Sequence, residues 1–285
     1  MTRRNLLQLA TAGLSGCATS PSKTSKVEAG PFSVVLPEEW SRSALVERVP
    51  IQPLYTPDSW NEYQRDHTYS SKPGYINRPQ HWAVRIPAAG LRGERFDSNT
   101  AGDDETAPQI LIHKANEWGL ALTDGIHETT PASSVVSRLR HELESWERED
   151  LLHGSPAFMD ASLTFVCLKQ RMAFQGGHGI RMVEQWTFEP ELIRRGLLHY
   201  LFLGMSDDNT CQIIATFPLD VEGLPSEQAR EHLGHSTRDY AQFTRNLDAY
   251  EAEAKRWLEA RASQFTPSLH TLDAMMSSLV APHWS

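Results

Sequence analysis

The sequence lacks most of the features that betray a function. Its 285 residues hold no apolar run near the ~18 that a bilayer-spanning helix needs. There is no G-x-S-x-G turn to seat a hydrolase serine, no Walker or dinucleotide glycine loop to cradle phosphates, and no H-E-x-x-H pair for zinc. Cysteine is scarce, with only Cys17, Cys167 and Cys211. Positive charge is in deficit: 27 Lys and Arg stand against 36 Asp and Glu, a net charge of −9. A negative body is repelled by nucleic acid and by anionic lipid surfaces, which argues against nucleic acid as a partner.

The most informative stretch that is present is Leu14-Ser15-Gly16-Cys17. It follows a basic tip, Arg3 and Arg4, and a short apolar run. Small residues before the cysteine let the cleft of a processing enzyme approach the backbone. The arrangement resembles the lipobox of bacterial lipoproteins, which implies cleavage after residue 16 and lipidation of Cys17. Arg3-Arg4 with the apolar residues that follow also resembles a twin-arginine export signal, an address rather than an anchor. A standard secretory leader that happens to carry two arginines is the alternative. The residue after the cysteine is Ala18 rather than aspartate, so the family rule for inner-membrane retention is not met. This implies the periplasmic face of the outer membrane. One acyl chain binds a bilayer only marginally, whereas the several chains of the family modification anchor stably. Loss of the leader takes the balance to −11, 36 acidic residues against 25 basic.

The expected organisation is a signal peptide over residues 1–16, a lipidated cysteine with a polar flexible tether over 17–30, and one globular domain over 31–285. Residues 32–36, 44–49, 82–86, 109–113 and 119–123 read as strands, several of them stopped by proline. Residues 55–79 are polar and aromatic, too long for a plain connection, and suit a loop packed by its own aromatics or a binding surface. Val135, Val136, Leu139, Leu143 and Trp146 fall at threes and fours and predict an amphipathic helix over 131–150. Residues 162–172 and 180–188 form one predicted hairpin about Gly176-Gly177-His178-Gly179. Residues 197–205 and 211–219 form another, about Ser206-Asp207-Asp208-Asn209-Thr210. Tyr240, Phe243, Leu247, Tyr250, Ala254 and Trp257 predict one long covering helix. Thr266-Pro267 reads as the cap and first turn of a last helix over 268–280. The fold class is therefore α+β, an antiparallel sheet covered by amphipathic helices.

Phe32-Ser33-Val34-Val35-Leu36-Pro37-Glu38-Glu39-Trp40 opens the body with a strand and a tryptophan turn. With Leu203-Gly204-Met205-Ser206-Asp207-Asp208, Ile214-Ala215-Thr216-Phe217-Pro218 and Phe265-Thr266-Pro267-Ser268-Leu269 followed by Leu272-Asp273, it resembles bacterial lipoproteins with a PsbP-like α/β/α sandwich. The likeness covers residues 31–50 and 160–282; the insertion at 55–79 departs from it. It implies a non-catalytic accessory or binding domain and carries no catalytic residues and no cofactor.

Candidate chemistry in the body is thin. His232 and His235 sit three apart and would share an ion on a helix, but Gly234 weakens one there and no third ligand is near, so exposed histidines at a helix start are expected. Asp207-Asp208-Asn209 suits a turn better than a metal, because such side chains bond their own backbone. Asp103-Asp104-Glu105 lacks the spacing of a calcium loop. In an oxidising envelope Cys167 and Cys211 can pair, although each lies in an apolar strand where a buried thiol also fits. A Cys167–His178 or Cys167–His199 dyad cannot be placed from sequence. The reading is a membrane-tethered lipoprotein, non-catalytic, acting on an unknown envelope protein or ligand through its body. A small-ligand or metal binder is the first alternative and an envelope hydrolase the second.

Overall fold

A computed structural model of the chain describes residues 23–51, 65, 78–90, 107–118, 132–145 and 162–284. The strands predicted over 119–123, most of the 55–79 segment, Asp103-Asp104-Glu105 and the whole leader with Cys17 lie outside the described residues.

Seven strands form one antiparallel sheet. In chain order they are β3 (Leu45–Val49), β4 (His81–Arg85), β5 (Gln109–Lys114), β6 (Ser162–Phe174), β7 (Gly177–Thr187), β8 (Leu198–Ser206) and β9 (Cys211–Pro218). In space they run β3-β4-β5-β9-β8-β7-β6. The late hairpins thus insert beside the early strands, with β5 pairing to β9 through Leu111↔Ile214. The central strands β8 and β9 are buried at every position. Such strands read as continuous apolar runs rather than alternating ones, because both faces are covered.

Two hydrophobic clusters lie on the two faces. On the first, α4 (Leu247–Glu259) contributes Tyr250, Ala254 and Leu258, and α5 (Leu269–Ser277) contributes Leu272, Met275 and Met276. These pack on Tyr200, Phe202, Ile213 and Phe217. On the second, α2 (Ala132–Glu144) sets Leu139 and Leu143 against Leu111, Leu201, Leu203 and Ile214. The described residues are an α+β arrangement with helices on both faces, agreeing with the class expected from sequence. Among them no helix is long and apolar enough to cross a membrane.

Several expectations need correction. Residues 24–29 do not behave as tether: Thr24–Ala29 is a strand, β1, paired with β2 (Phe32–Pro37) from Thr24↔Pro37 to Ala29↔Phe32. Its polar composition reflects an exposed outer face, while Val27 and Ala29 turn inward. Gly30 makes the hairpin possible, with φ +62° and the Trp82 indole where a Cβ would fall. The folded body therefore begins before residue 31. α1 (Glu38–Ser41) follows at once and buries Trp40 against Phe217, with ring centroids 6.3 Å apart.

The turn expected over 176–179 is shorter, since β7 already starts at Gly177. A Cβ on Gly179 would land on the Phe202 ring, so this glycine serves aromatic packing rather than a turn. The single helix expected from Tyr240 to Trp257 is two, α3 (Tyr240–Arg245) and α4, separated where Asn246 leaves helical geometry at φ −107° and ψ 14°. The last helix begins at Leu269 with Ser268 at its N-cap position. Thr266 instead exchanges two backbone hydrogen bonds of 2.8 Å with Asp220.

Candidate functional site

Cys17, the lipobox residues Leu14, Ser15 and Gly16, and the export pair Arg3 and Arg4 lie outside the described residues. Cys167 and Cys211 are both free and buried. Their pairing is ruled out by register: Cys167 lies opposite Val183, Val183 opposite Tyr200 and Tyr200 opposite Phe217. Three strand spacings, about 14 Å in all, separate Cys167 from β9, well beyond the ~4.4–6.8 Å that a disulfide spans between Cα atoms. Burial also pushes both thiols up, so neither is a ready nucleophile. Cys167 belongs to the first-face cluster, whereas His199 neighbours Leu201 of the second, so no Cys167–His199 dyad forms.

Asp207-Asp208-Asn209 is a turn. Burial opposes ionisation of Asp208, but bonds from Ser206, the Thr210 N–H, His283 and the Thr210 hydroxyl outweigh it and hold the carboxyl well below its usual range. His283 Nδ1 lies 2.6 Å from Asp208 Oδ2. His178 stands half-buried, 3.5 Å from Asp207. Among the described residues no three His, Cys, Asp or Glu side chains gather closely enough to hold a metal.

Glu231-His232-Leu233-Gly234-His235 is a small hairpin, β10 (Glu231–His232) and β11 (His235–Ser236), rather than a helix start. Leu233 and Gly234 both take positive φ, 50° and 78°, as a two-residue hairpin turn requires. His232 is not exposed as expected. Its ring meets Trp257 edge-on at 5.3 Å, and its Nδ1 lies 3.2 Å from the Tyr250 hydroxyl. Burial first, then Arg261 and His235, lowers it to about 4. His235 reaches Glu253 at 3.4 Å.

Three polar groupings escaped the sequence reading. The first is buried on the face under α5. Arg181 donates to Asp273 through Nε (3.1 Å) and Nη2 (3.0 Å), and Tyr200 donates to Asp273 Oδ1 at 3.1 Å. A bulge in β6 at Leu168 turns its carbonyl toward Arg181 as a further acceptor. This network is saturated and locks α5 to the sheet. The second lies on the opposite face, where Glu184 stands across from His199. Burial raises the Glu184 carboxyl to about 8, opposed in part by a hydrogen bond from Trp186. At neutral pH it is mostly protonated. The third is a row of His81, His113 and Gln212 across β4, β5 and β9. Burial lowers His81 to about 4, and His113 well below its usual value, so both are neutral.

A cavity of about 530 Å³ opens at the end of β7. One wall is the segment after the strand, with Glu189, Glu191 and Arg194; the other is the approach to the β10–β11 hairpin, with Glu227 and Arg230. Tyr240, at the start of α3, is exposed at its rim. The walls are held by buried groups, since the Tyr250 hydroxyl accepts from the Ile193 N–H at 2.7 Å. Arg194 is anchored by Glu191 and by a bond of 2.5 Å to the Glu227 carbonyl. Its volume falls within the roughly 300–1,000 Å³ usual for small-ligand sites.

The sequence did carry a faint signal for the buried charges. Arg181 and Glu184 put ionisable side chains into β7, a strand buried on both faces. Arg194 and Arg230 carried none, being two arginines 36 positions apart in polar segments.

Compared with known proteins, the chain matches no family model, no curated protein sequence and no solved structure.

Proposed function

We propose that the protein is a membrane-anchored envelope lipoprotein. Its lipid sits on Cys17 of the Leu14-Ser15-Gly16-Cys17 box, and its body is a non-catalytic accessory or binding domain of the PsbP-like α/β/α sandwich class. Arg3 and Arg4 belong to the export leader, and the body faces the periplasm from the outer membrane. The observation that carries the binding role is the charged cavity beside the β10–β11 hairpin. It has the size of a ligand site, and its lining sets charged side chains around a stretch of apolar wall.

The early start of β1 sharpens this reading. Six residues, 18–23, separate Cys17 from Thr24. Even fully extended, they reach roughly 20–25 Å. The body is then held against the bilayer rather than ranging through the periplasm, and its partner is a component available close to the membrane.

Radiolabelled palmitate should enter the wild-type chain and not a Cys17→Ala variant; label in both would overturn the anchor. A photo-crosslinking residue at Tyr240, at the cavity rim, should give an adduct with a membrane-proximal component in the intact envelope. No adduct there would overturn the cavity as the binding face.

A further inference from the structure

The charges around the cavity do not cancel at every point. Glu191 is paired with Arg194. Glu189 accepts from the Tyr240 hydroxyl. Glu227 and Arg230, three positions apart on the second wall, form no ion pair among the described residues, either with each other or elsewhere. Both are exposed at the cavity. Burial first and then Arg230 depress Arg194, while Glu227 opposes the shift, so both arginines and Glu227 meet at one end of the cavity. Glu189 and Glu227 add carboxylates to the same lining. Between them Pro190, Leu192, Ala229 and the Tyr240 ring offer apolar wall.

Such a site disfavours most ligand classes by charge alone. A polyanion meets three glutamates, and a polycation meets two arginines. A purely apolar ligand leaves the Glu227 and Arg230 charges stripped of water without a partner. What fits is a small molecule carrying one charge of each sign around a neutral middle.

We propose that the cavity binds an amino acid or short peptide by its free termini. The ammonium group sits on Glu227 and Glu189, and the carboxylate sits on Arg230, whose planar fork suits a carboxylate. The assignment rests on the binding-domain reading above and names the ligand class for that same cavity.

Titration calorimetry on the full chain tests it, with L-leucine and trialanine as probes against N-acetyl-trialanine and trialanine amide at fixed ionic strength. Binding by L-leucine alone identifies a single amino acid, and binding by trialanine alone identifies a peptide. In the peptide case, blocking either terminus should weaken binding by roughly tenfold or more, the loss expected when a charged hydrogen-bonding group is removed. Glu227→Gln should shrink the penalty for acetylation and spare that for amidation, and Arg230→Gln should remove the penalty for amidation and spare that for acetylation. In the amino-acid case, leucine amide and N-acetyl-leucine replace the blocked peptides with the same expectation. Both substitutions are at exposed positions, so an unchanged urea midpoint shows the fold intact. No heat with either free probe, or equal binding of free and blocked forms, overturns the proposal. If the Tyr240 adduct persists in the envelope while neither probe binds, the zwitterion assignment falls and the binding domain stands.

Discussion

The two faces of the sheet are filled in different ways. Under α4 and α5 the first face is a continuous apolar layer, and its buried charge pair, Arg181–Asp273, is bonded in bidentate fashion. Under α2 the second face has a smaller apolar centre. Polar groups lie at both of its ends: Glu184 and His199 at one, His81, His113 and Gln212 at the other. The same strands supply both faces, so the difference lies in what covers them. It teaches that a buried charge is tolerated in two ways, by pairing it or by neutralising it.

The largest effects are expected on the first face. Phe217 is fully buried between Trp40 and Tyr200. Phe217→Ala should cost about 3–5 kcal/mol in urea unfolding. Leu143→Ala on the second face should cost nearer 2 kcal/mol, because a single helix can settle into the space. Equal losses would erase the contrast between the faces.

Next is Asp273→Ala. It strands the buried Arg181 guanidinium and removes the acceptor of Tyr200, at a cost of about 3 kcal/mol. A loss under ~1 kcal/mol would mean that the pair does not lock α5.

Glu184 sets a pH test of the opposite strategy. Its folded value of about 8 lies above its ordinary 4.5, so it favours the folded state fully below about 4.5. That advantage drains as pH rises to about 8, at up to about 1.4 kcal/mol per pH unit. Glu184→Gln should flatten this decline when stability is measured by urea melts across that range. A parallel decline in both proteins would show that Glu184 is not held protonated.

The smallest effect is expected at the surface of α2, where Arg140 and Glu144 form an exposed i,i+4 pair at 3.1 Å. Arg140→Ala should shift stability by less than ~0.5 kcal/mol, and the shift should vanish in high salt. A larger change would give the second face a stabilising element outside its core.

Much of the sheet was legible in advance. The β8–β9 hairpin and its Asp207-Asp208-Asn209 turn follow from local signals, an apolar strand either side of a self-bonding turn. Leu139 and Leu143 were read as the inward stripe of α2, and they are buried. Local periodicity failed where a neighbour decided the outcome. Thr24–Ala29 looks like a polar tether until β2 pairs with it. Gly179 looks like a turn until Phe202 claims its space. His232 looks solvated until Trp257 and Tyr250 enclose it.

The candidate site was almost invisible, because its walls come from segments about 35 residues apart and its charges are ordinary surface residues when read singly. By itself the sequence determined what depends on nearest neighbours: the acidic balance, the strands and the helical stripes. Only the tertiary structure decided the separation of Cys167 from Cys211, the pairing of Arg181 with Asp273 and the protonation of Glu184. It also decided the meeting of Glu227 and Arg230 with the 189–194 wall. Each of these depends on distances across strands and on exclusion of water, and neither is written into the order of residues along one strand.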